Sequence, residues 1–198
     1  MRTEIVIASN NLHKIREFRA ILKSVINIDI TSLLNFPDYT PPEELGATFE
    51  ENAKLKAEHA AKTLGKWVIA DDSGLVVPAL KGDPGVRSRR YAGNDATDSE
   101  NRKKLLKEMK ALNEMQRDAY YECFLVLANP EGIKKSVRGV CEGTIIQEEK
   151  GCYGFGYDSI FRKHEYNDTF AQLEDSIKNR ISHRKKAVEK ILPTLETI

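Results

Sequence analysis

The chain has 198 residues, with 31 Lys and Arg set against 30 Asp and Glu, a formal charge of +1 and 40% apolar residues. That length holds one sizeable core, or a core with a smaller lobe, and the balanced charge argues against a protein that coats nucleic acid, which carries a strong basic excess. The longest apolar runs, such as Phe124-Leu125-Val126-Leu127-Ala128, are too short to cross a bilayer, so neither a membrane nor a nucleic-acid partner is expected.

The N-terminal Met1-Arg2-Thr3-Glu4 leads into a strand with no secretory apolar run. Cys123, Cys141 and Cys152 are odd in number and lack C-x-x-C spacing. Neither a disulfide framework nor a zinc site is expected from them, and a reducing cytoplasm fits best.

Ile5-Val6-Ile7-Ala8 reads as a buried strand, broken at Ser9-Asn10-Asn11. Ile15, Phe18, Ile21 and Leu22 share one face of the helix that follows. A short strand is expected around Ile26–Ile30, then a loop carrying Pro37, Pro41, Pro42 and Gly46. Thr48-Phe49-Glu50-Glu51 is a capping box that opens a helix to about Leu64, stopped by Gly65.

Trp67-Val68-Ile69-Ala70 predicts a strand ending at Asp71-Asp72-Ser73-Gly74, with a second short strand at Leu75–Leu80 and a glycine- and arginine-bearing loop over Gly82–Gly93. Thr97 caps a charged helix to about Leu112. Ala119–Ala128 and Ser136–Gln147 form a predicted hairpin through Asn129-Pro130-Glu131-Gly132. A glycine-aromatic loop over Gly151–Asp158, a strand at Ser159–Arg162, a helical turn capped by Thr169 and a C-terminal helix capped by Ser182 complete the chain. Early alternation of helix and strand followed by a hairpin predicts an α/β protein with a mixed sheet.

Four segments carry more polar chemistry than folding requires. The first is Ser9-Asn10-Asn11-Leu12-His13-Lys14. Basic residues in a first helical turn oppose the helix dipole unless an anion such as phosphate sits there; an Asn-capped turn with a solvated lysine is the other reading. The phosphate-loop pattern G-x-x-x-x-G-K-[ST] is absent.

The second is the helix after Thr48. Phe49, Ala53, Ala57, Ala60 and Leu64 make its buried stripe, and Lys56 lies at the stripe's edge, where it either snorkels to solvent or reaches into a site. Glu43 and Glu44, just upstream, are either metal ligands or part of a solvated acidic loop.

The third is Asp71-Asp72, two carboxylates that repel each other unless a cation such as Mg²⁺ joins them; a surface turn is the plainer reading. The fourth is the C-terminal third. Gly154-Phe155-Gly156-Tyr157-Asp158 suits base stacking or an aromatic hairpin end. Lys178, Arg180, His183, Arg184, Lys185 and Lys186 gather around the start of the last helix, where basic charge needs an acidic ligand to offset it.

Taken in order, these segments resemble the inosine triphosphate pyrophosphatase family of house-cleaning enzymes from Ile5 to about Leu192. The motifs are Ser9-Asn10-Asn11-x-x-Lys14, Thr48-Phe49-x-Glu51-Asn52-Ala53-x-Leu55-Lys56-Ala57, Ala70-Asp71-Asp72-Ser73-Gly74-Leu75, Gly82-x-Pro84-Gly85, Arg90-Tyr91-x-Gly93, Phe155-Gly156-Tyr157-Asp158 and Ser182-His183-Arg184. Three positions depart from the family pattern: Ser9-Asn10-Asn11 replaces Thr-Gly-Asn, His13 replaces a frequent glycine, and Ser159 replaces a proline.

The resemblance implies a single domain over 1–198, with an elongated mixed β-sheet flanked by helices and two lobes with the active site in the cleft between them. It implies a cytoplasmic homodimer that hydrolyses ITP, dITP and XTP to the monophosphate and pyrophosphate with Mg²⁺. Carried residue by residue, it makes Asp72 the general base and a metal ligand, and Glu44 the second metal ligand. It assigns substrate contacts to Ser9, Asn10, Asn11, Leu12, His13, Lys14, Lys56 and Ser73, and base recognition to Phe155, Gly156, Tyr157, Asp158, Lys178, His183 and Arg184. The alternatives are a Maf-like pyrophosphatase of other base specificity and a non-catalytic nucleotide-binding protein. Successive strand residues point to opposite faces, so Asp71 and Asp72 need not share a role: Asp72 is expected to be the base, and Asp71 a supporting ligand or structural anchor.

Overall fold

The computed structural model describes residues 4–198. Met1, Arg2 and Thr3, read above as the lead-in to the first strand, lie outside the described residues. Six strands form one mixed sheet in the order β2-β1-β3-β4-β5-β6: β1 (Glu4–Ile7), β2 (Asp29–Ser32), β3 (Trp67–Val76), β4 (Asp118–Asn129), β5 (Gly132–Ile145) and β6 (Phe161–Lys163). Among the described residues five α-helices accompany them: α1 (Leu12–Lys23), α2 (Phe49–Leu64), α3 (Asp98–Glu108), α4 (Asp175–Ile181) and α5 (His183–Leu195). Among the described residues no helix is long and apolar enough to cross a membrane.

Two compact units divide the chain. One takes the chain up to Ser73 together with Cys123–Gly139 and His183–Ile198; the other takes Gly74–Glu122 and Val140–Ser182.

In the first unit, β1 pairs in parallel with β2 on one side and β3 on the other. The alternation of strand side chains sorts its core into two layers. Ile5, Ile7 and Ile69 pack with Ile15, Phe18, Ile21 and Leu22 of α1 and with Ala187, Val188 and Ile191 of α5. Val6, Ala8, Val68 and Ala70 pack with Ala53, Ala57, Ala60 and Ala61 of α2. The chain therefore leaves β1 through α1 on one face and returns to β3 through α2 on the other. In such sheets ligands bind beyond the strand ends where the winding reverses, and here that place holds the residues after Ile7 and after Ile69. Gly139 brings β5 against the first turn of α5, because a Cβ there would strike the backbone of His183 and Ala187.

The second unit has its own core of Leu75, Val77, Leu105, Met109, Tyr121, Cys141, Ile145, Tyr157, Ile160, Phe161 and Phe170. Arg117 is buried within it and donates to the carbonyls of Met109, Ile145 and Ile146 at 2.7 to 3.1 Å.

Several sequence expectations change. The strand expected to stop at Ala70 runs on as β3 to Val76, carrying Asp71 and Asp72 inside it. Carboxylates end a buried strand only when nothing compensates their charge, and each of these has a cationic partner. The second strand lies at Asp29–Ser32 rather than Ile26–Ile30, and α3 ends at Glu108 rather than Leu112. Thr169 forms a bridge with Arg162 and a turn instead of capping a helix. Helix α4 was not expected, and Ser182 ends it in extended backbone just before α5 begins.

Candidate active site

At the end of β1 the chain turns through Ser9 and Asn10 into Asn11, the N-cap of α1. The Asn11 side chain accepts from the amides of His13 (3.0 Å) and Lys14 (3.2 Å), and Ser9 Oγ accepts from the Asn11 amide (3.1 Å). The amides of His13 and Lys14 are thus taken by the protein's own cap. Leu12 and His13 are exposed. Lys14 is not the solvated lysine of the plainer reading: its Nζ donates to Asp71 Oδ2 at 2.9 Å.

Asp71 faces the α1 and α5 layer. Ser73 Oγ donates to Asp71 Oδ2 at 2.8 Å, and Arg184 Nη2 donates to Ser73 Oγ at 2.9 Å. Arg184 Nη1 also donates to Glu17 Oε2 at 2.7 Å, and its Nε stands 3.9 Å from Asp71. Burial alone would raise the Asp71 carboxyl, but the charges of Lys14, Arg184 and Lys56 outweigh it and hold the group at about 2. Burial likewise opposes the charge of Arg184, and Glu17 and Asp71 overcome it, raising its pKa. The Arg184 charge at the start of α5 therefore meets two carboxylates of the chain itself, Glu17 and Asp71.

Asp72 faces α2. Its Oδ1 accepts from Lys56 Nζ at 3.0 Å, and its Oδ2 accepts from Asn52 Nδ2 at 3.3 Å. Lys56 also donates to Glu44 Oε1 at 3.2 Å, so it reaches inward at the edge of the helix stripe. Burial pushes the Asp72 carboxyl above the ordinary aspartate value; Lys56 and Lys14 oppose that shift and Glu44 adds to it. Two adjacent aspartates are thus driven in opposite directions by their surroundings.

The donor set also bears on metal binding. One ammonium already reaches both Glu44 and Asp72, so these oxygens stand close enough to share a cation. Among the described residues no three His, Cys, Asp or Glu side chains converge into a protein-only cage. Two carboxylates completed by water and substrate phosphates are the usual surroundings of Mg²⁺, and the residues present fit that ion.

In the second unit, the glycine-aromatic loop is held from within. Asp158 accepts from the Phe155 amide (2.9 Å), from the Tyr121 hydroxyl (3.2 Å) and from Lys178 Nζ. The Lys178 ammonium lies 4.9 Å from the centroid of the Phe155 ring. Asp98 and Arg102, one turn apart on α3, take the two ends of Gly156: Asp98 accepts from its N–H at 2.7 Å and Arg102 donates to its carbonyl at 2.8 Å. Tyr157 is buried and donates to the Ser88 carbonyl at 2.8 Å. Asp158 and Tyr157 thus hold the loop in place, and Phe155 beside them is half-buried.

The residues assigned to base recognition fall into both units: Phe155, Gly156, Tyr157, Asp158 and Lys178 in the second, His183 and Arg184, both buried, in the first. Sequence reasoning gave no role to Glu17, Asn52, Asp98 or Arg102. Glu17 and Asn52 each left a trace, since both are polar side chains next to the apolar stripe of an amphipathic helix, beside Phe18 and Ala53.

Comparison with known proteins adds a separate line. The profile of the Ham1 family matches residues 5–194. A protein of Protochlamydia amoebophila (strain UWE25) named dITP/XTP pyrophosphatase is 56% identical over 196 residues, covering 98% of each chain. A solved HAM1 protein from Coxiella burnetii superposes with a TM-score of 0.88 at 40% identity, covering 99% of this chain and all of that one. The Staphylococcus aureus Ham1 protein gives 0.85 at 42% identity over 98% and 99% of the two chains.

Proposed function

Since the chain belongs to the Ham1 family, we propose that it hydrolyses non-canonical purine nucleoside triphosphates, dITP, XTP and ITP, to the monophosphate and pyrophosphate. The observation that carries this reading is the opposed pair on β3. Asp71 is a fixed anion holding Lys14, and Asp72 is a carboxylate with a raised pKa beside Lys56 and Glu44. Such a site suits phosphoryl chemistry, in which positioning and charge stabilisation do most of the work and no covalent nucleophile is needed.

Asp72 accepts a proton from water as the water oxygen bonds to the α-phosphorus. The bond from that phosphorus to the α,β-bridging oxygen breaks, and the electron pair leaves with pyrophosphate. Lys14 and Lys56 offset charge on the phosphates. Mg²⁺ is the proposed cofactor: Glu44 and Asp72 would hold it, and when bound it would supply neutralisation of phosphate oxygens and polarisation of the reacting phosphorus. A cytoplasmic homodimer belongs to the same proposal.

Incubation of the protein with dITP, XTP, ITP or ATP and Mg²⁺, followed by separate assays for pyrophosphate and orthophosphate, tests the reading. Pyrophosphate from the first three and little from ATP is expected. Orthophosphate as the product, or no product, refutes it. Asp72→Asn is expected to keep the fold and abolish turnover, and normal activity in that variant would remove Asp72 from its role.

A further inference from the structure

Asn52 is almost completely buried on α2, one turn before Lys56. A buried amide in a layer of alanines needs partners to repay its lost hydration, and its partners lie on two separate segments. Its Oδ1 accepts from the Gly46 amide at 2.8 Å, while its Nδ2 faces the Gly46 carbonyl at 3.4 Å and Asp72 Oδ2 at 3.3 Å. The oxygen end is committed to the Gly46 N–H, so the donor end must face the carboxylate. Gly46 closes the loop that carries Glu44, and it approaches so closely that a Cβ there would lie 2.6 Å from Asn52 Oδ1.

We infer that Asn52 is the positioning residue of the site. Its single amide locks the Glu44 loop to the Asp72 carboxylate, and so sets the spacing of the two proposed metal ligands. The inference rests on Glu44 and Asp72 holding the ion. Asn52 touches neither substrate nor metal; it acts through the orientation of Asp72 and through the backbone two residues beyond Glu44. Lys56 cannot substitute for it, because its flexible stem follows the carboxylates wherever they stand, whereas the planar amide fixes their separation.

The test is Mn²⁺ binding followed by electron paramagnetic resonance, together with steady-state hydrolysis of dITP and thermal melting. Asn52→Leu keeps the volume and removes the amide. Gly46→Ala, in the half-buried loop, disturbs the same bonds from the other end and leaves the helix alone. Both variants are expected to weaken Mn²⁺ binding about tenfold or more, the usual consequence of losing a group that orients metal ligands. Both should also lower kcat while changing the KM for nucleotide much less.

A purely structural asparagine would lower the melting temperature and leave the Mn²⁺ affinity of the folded protein unchanged, and that result overturns the inference. Glu44→Gln and Asp72→Asn serve as the reference. If these two also keep normal Mn²⁺ affinity, the metal assignment itself has failed, which is a different outcome from Asn52 alone proving silent.

Discussion

Replacing Lys56 with Met separates two effects that a phosphate-binding lysine would normally confound. In the structure its ammonium joins Glu44 at 3.2 Å and Asp72 at 3.0 Å, with the side chain only 12% exposed. The charge that would greet a triphosphate therefore also occupies the two carboxylates that would greet a cation. Two unit charges 4 Å apart interact by about 1 kcal/mol even at the dielectric of water, so a dication entering at that distance meets about 2 kcal/mol of repulsion from Lys56. Burial makes that figure a floor for an ammonium that stays in place. Lys56→Met should thus tighten Mn²⁺ binding in the absence of nucleotide by about thirtyfold, since about 1.4 kcal/mol corresponds to tenfold. The same variant should raise the KM for dITP, having lost a phosphate partner. Titration of Mn²⁺ by electron paramagnetic resonance without nucleotide, alongside hydrolysis kinetics, reads both quantities. Unchanged or weaker Mn²⁺ binding in Lys56→Met would refute the argument, because the lysine would then not compete for the carboxylates.

Three further expectations follow from the opposite face of β3 and its support. Asp71 is held at about 2 against an ordinary value of 3.8, so its charge stabilises the fold above about pH 4 and that contribution is lost as pH falls toward 2. Asp71→Asn should flatten the dependence of urea-unfolding stability on pH between 4 and 2, and an unchanged slope would contradict the assignment. Glu17→Gln strips Arg184 of its 2.7 Å carboxylate partner and should cost about 3 kcal/mol, as removal of one member of a buried ion pair does; chemical denaturation measures it, and a loss below about 1 kcal/mol argues that Ser73 and Asp71 suffice. Gly139→Ala places a methyl group against the first turn of α5 and should destabilise by about 1–3 kcal/mol through overpacking. Hydrolysis should fall with it, since that turn carries His183 and Arg184; full activity would show that the turn can shift without consequence.

Local rules carried much of the fold. The capping boxes at Thr48 and Thr97 are both formed, and Gly65 ends α2 in the left-handed conformation at φ 65°. The hairpin turns between Asn129 and Gly132 as its proline and glycine predict. Each of these features is decided by residues within a few positions of one another. Helix α4 escaped notice because seven residues, Asp175–Ile181, give too little periodicity to count. The end of the strand at Ala70 was misplaced for a different reason. Asp71 and Asp72 look like a break when only their neighbours are considered, and the charges that keep them in the sheet come from Lys14, 57 residues away, and Lys56, 16 residues away.

The same distance in sequence explains why the two aspartates could be told apart in principle but not assigned partners. Period-two alternation already requires that Asp71 and Asp72 face opposite layers. It does not say that one layer supplies Lys14 and Arg184 and the other supplies Lys56 and Asn52. That follows only once β1 is seen to wind through α1 on one face and α2 on the other, with Arg184 returning 167 residues after Glu17. The winding gives Asp71 an anchor's surroundings of fixed cations, and Asp72 a loop-borne carboxylate and a movable lysine. A site with this division can lose charge on the Asp72 side when a ligand enters without disturbing the layer behind Asp71. Substitutions on the α2 face should therefore alter ligand binding, and those of the buried α1 and α5 side chains behind Lys14, Glu17 first among them, should alter stability first.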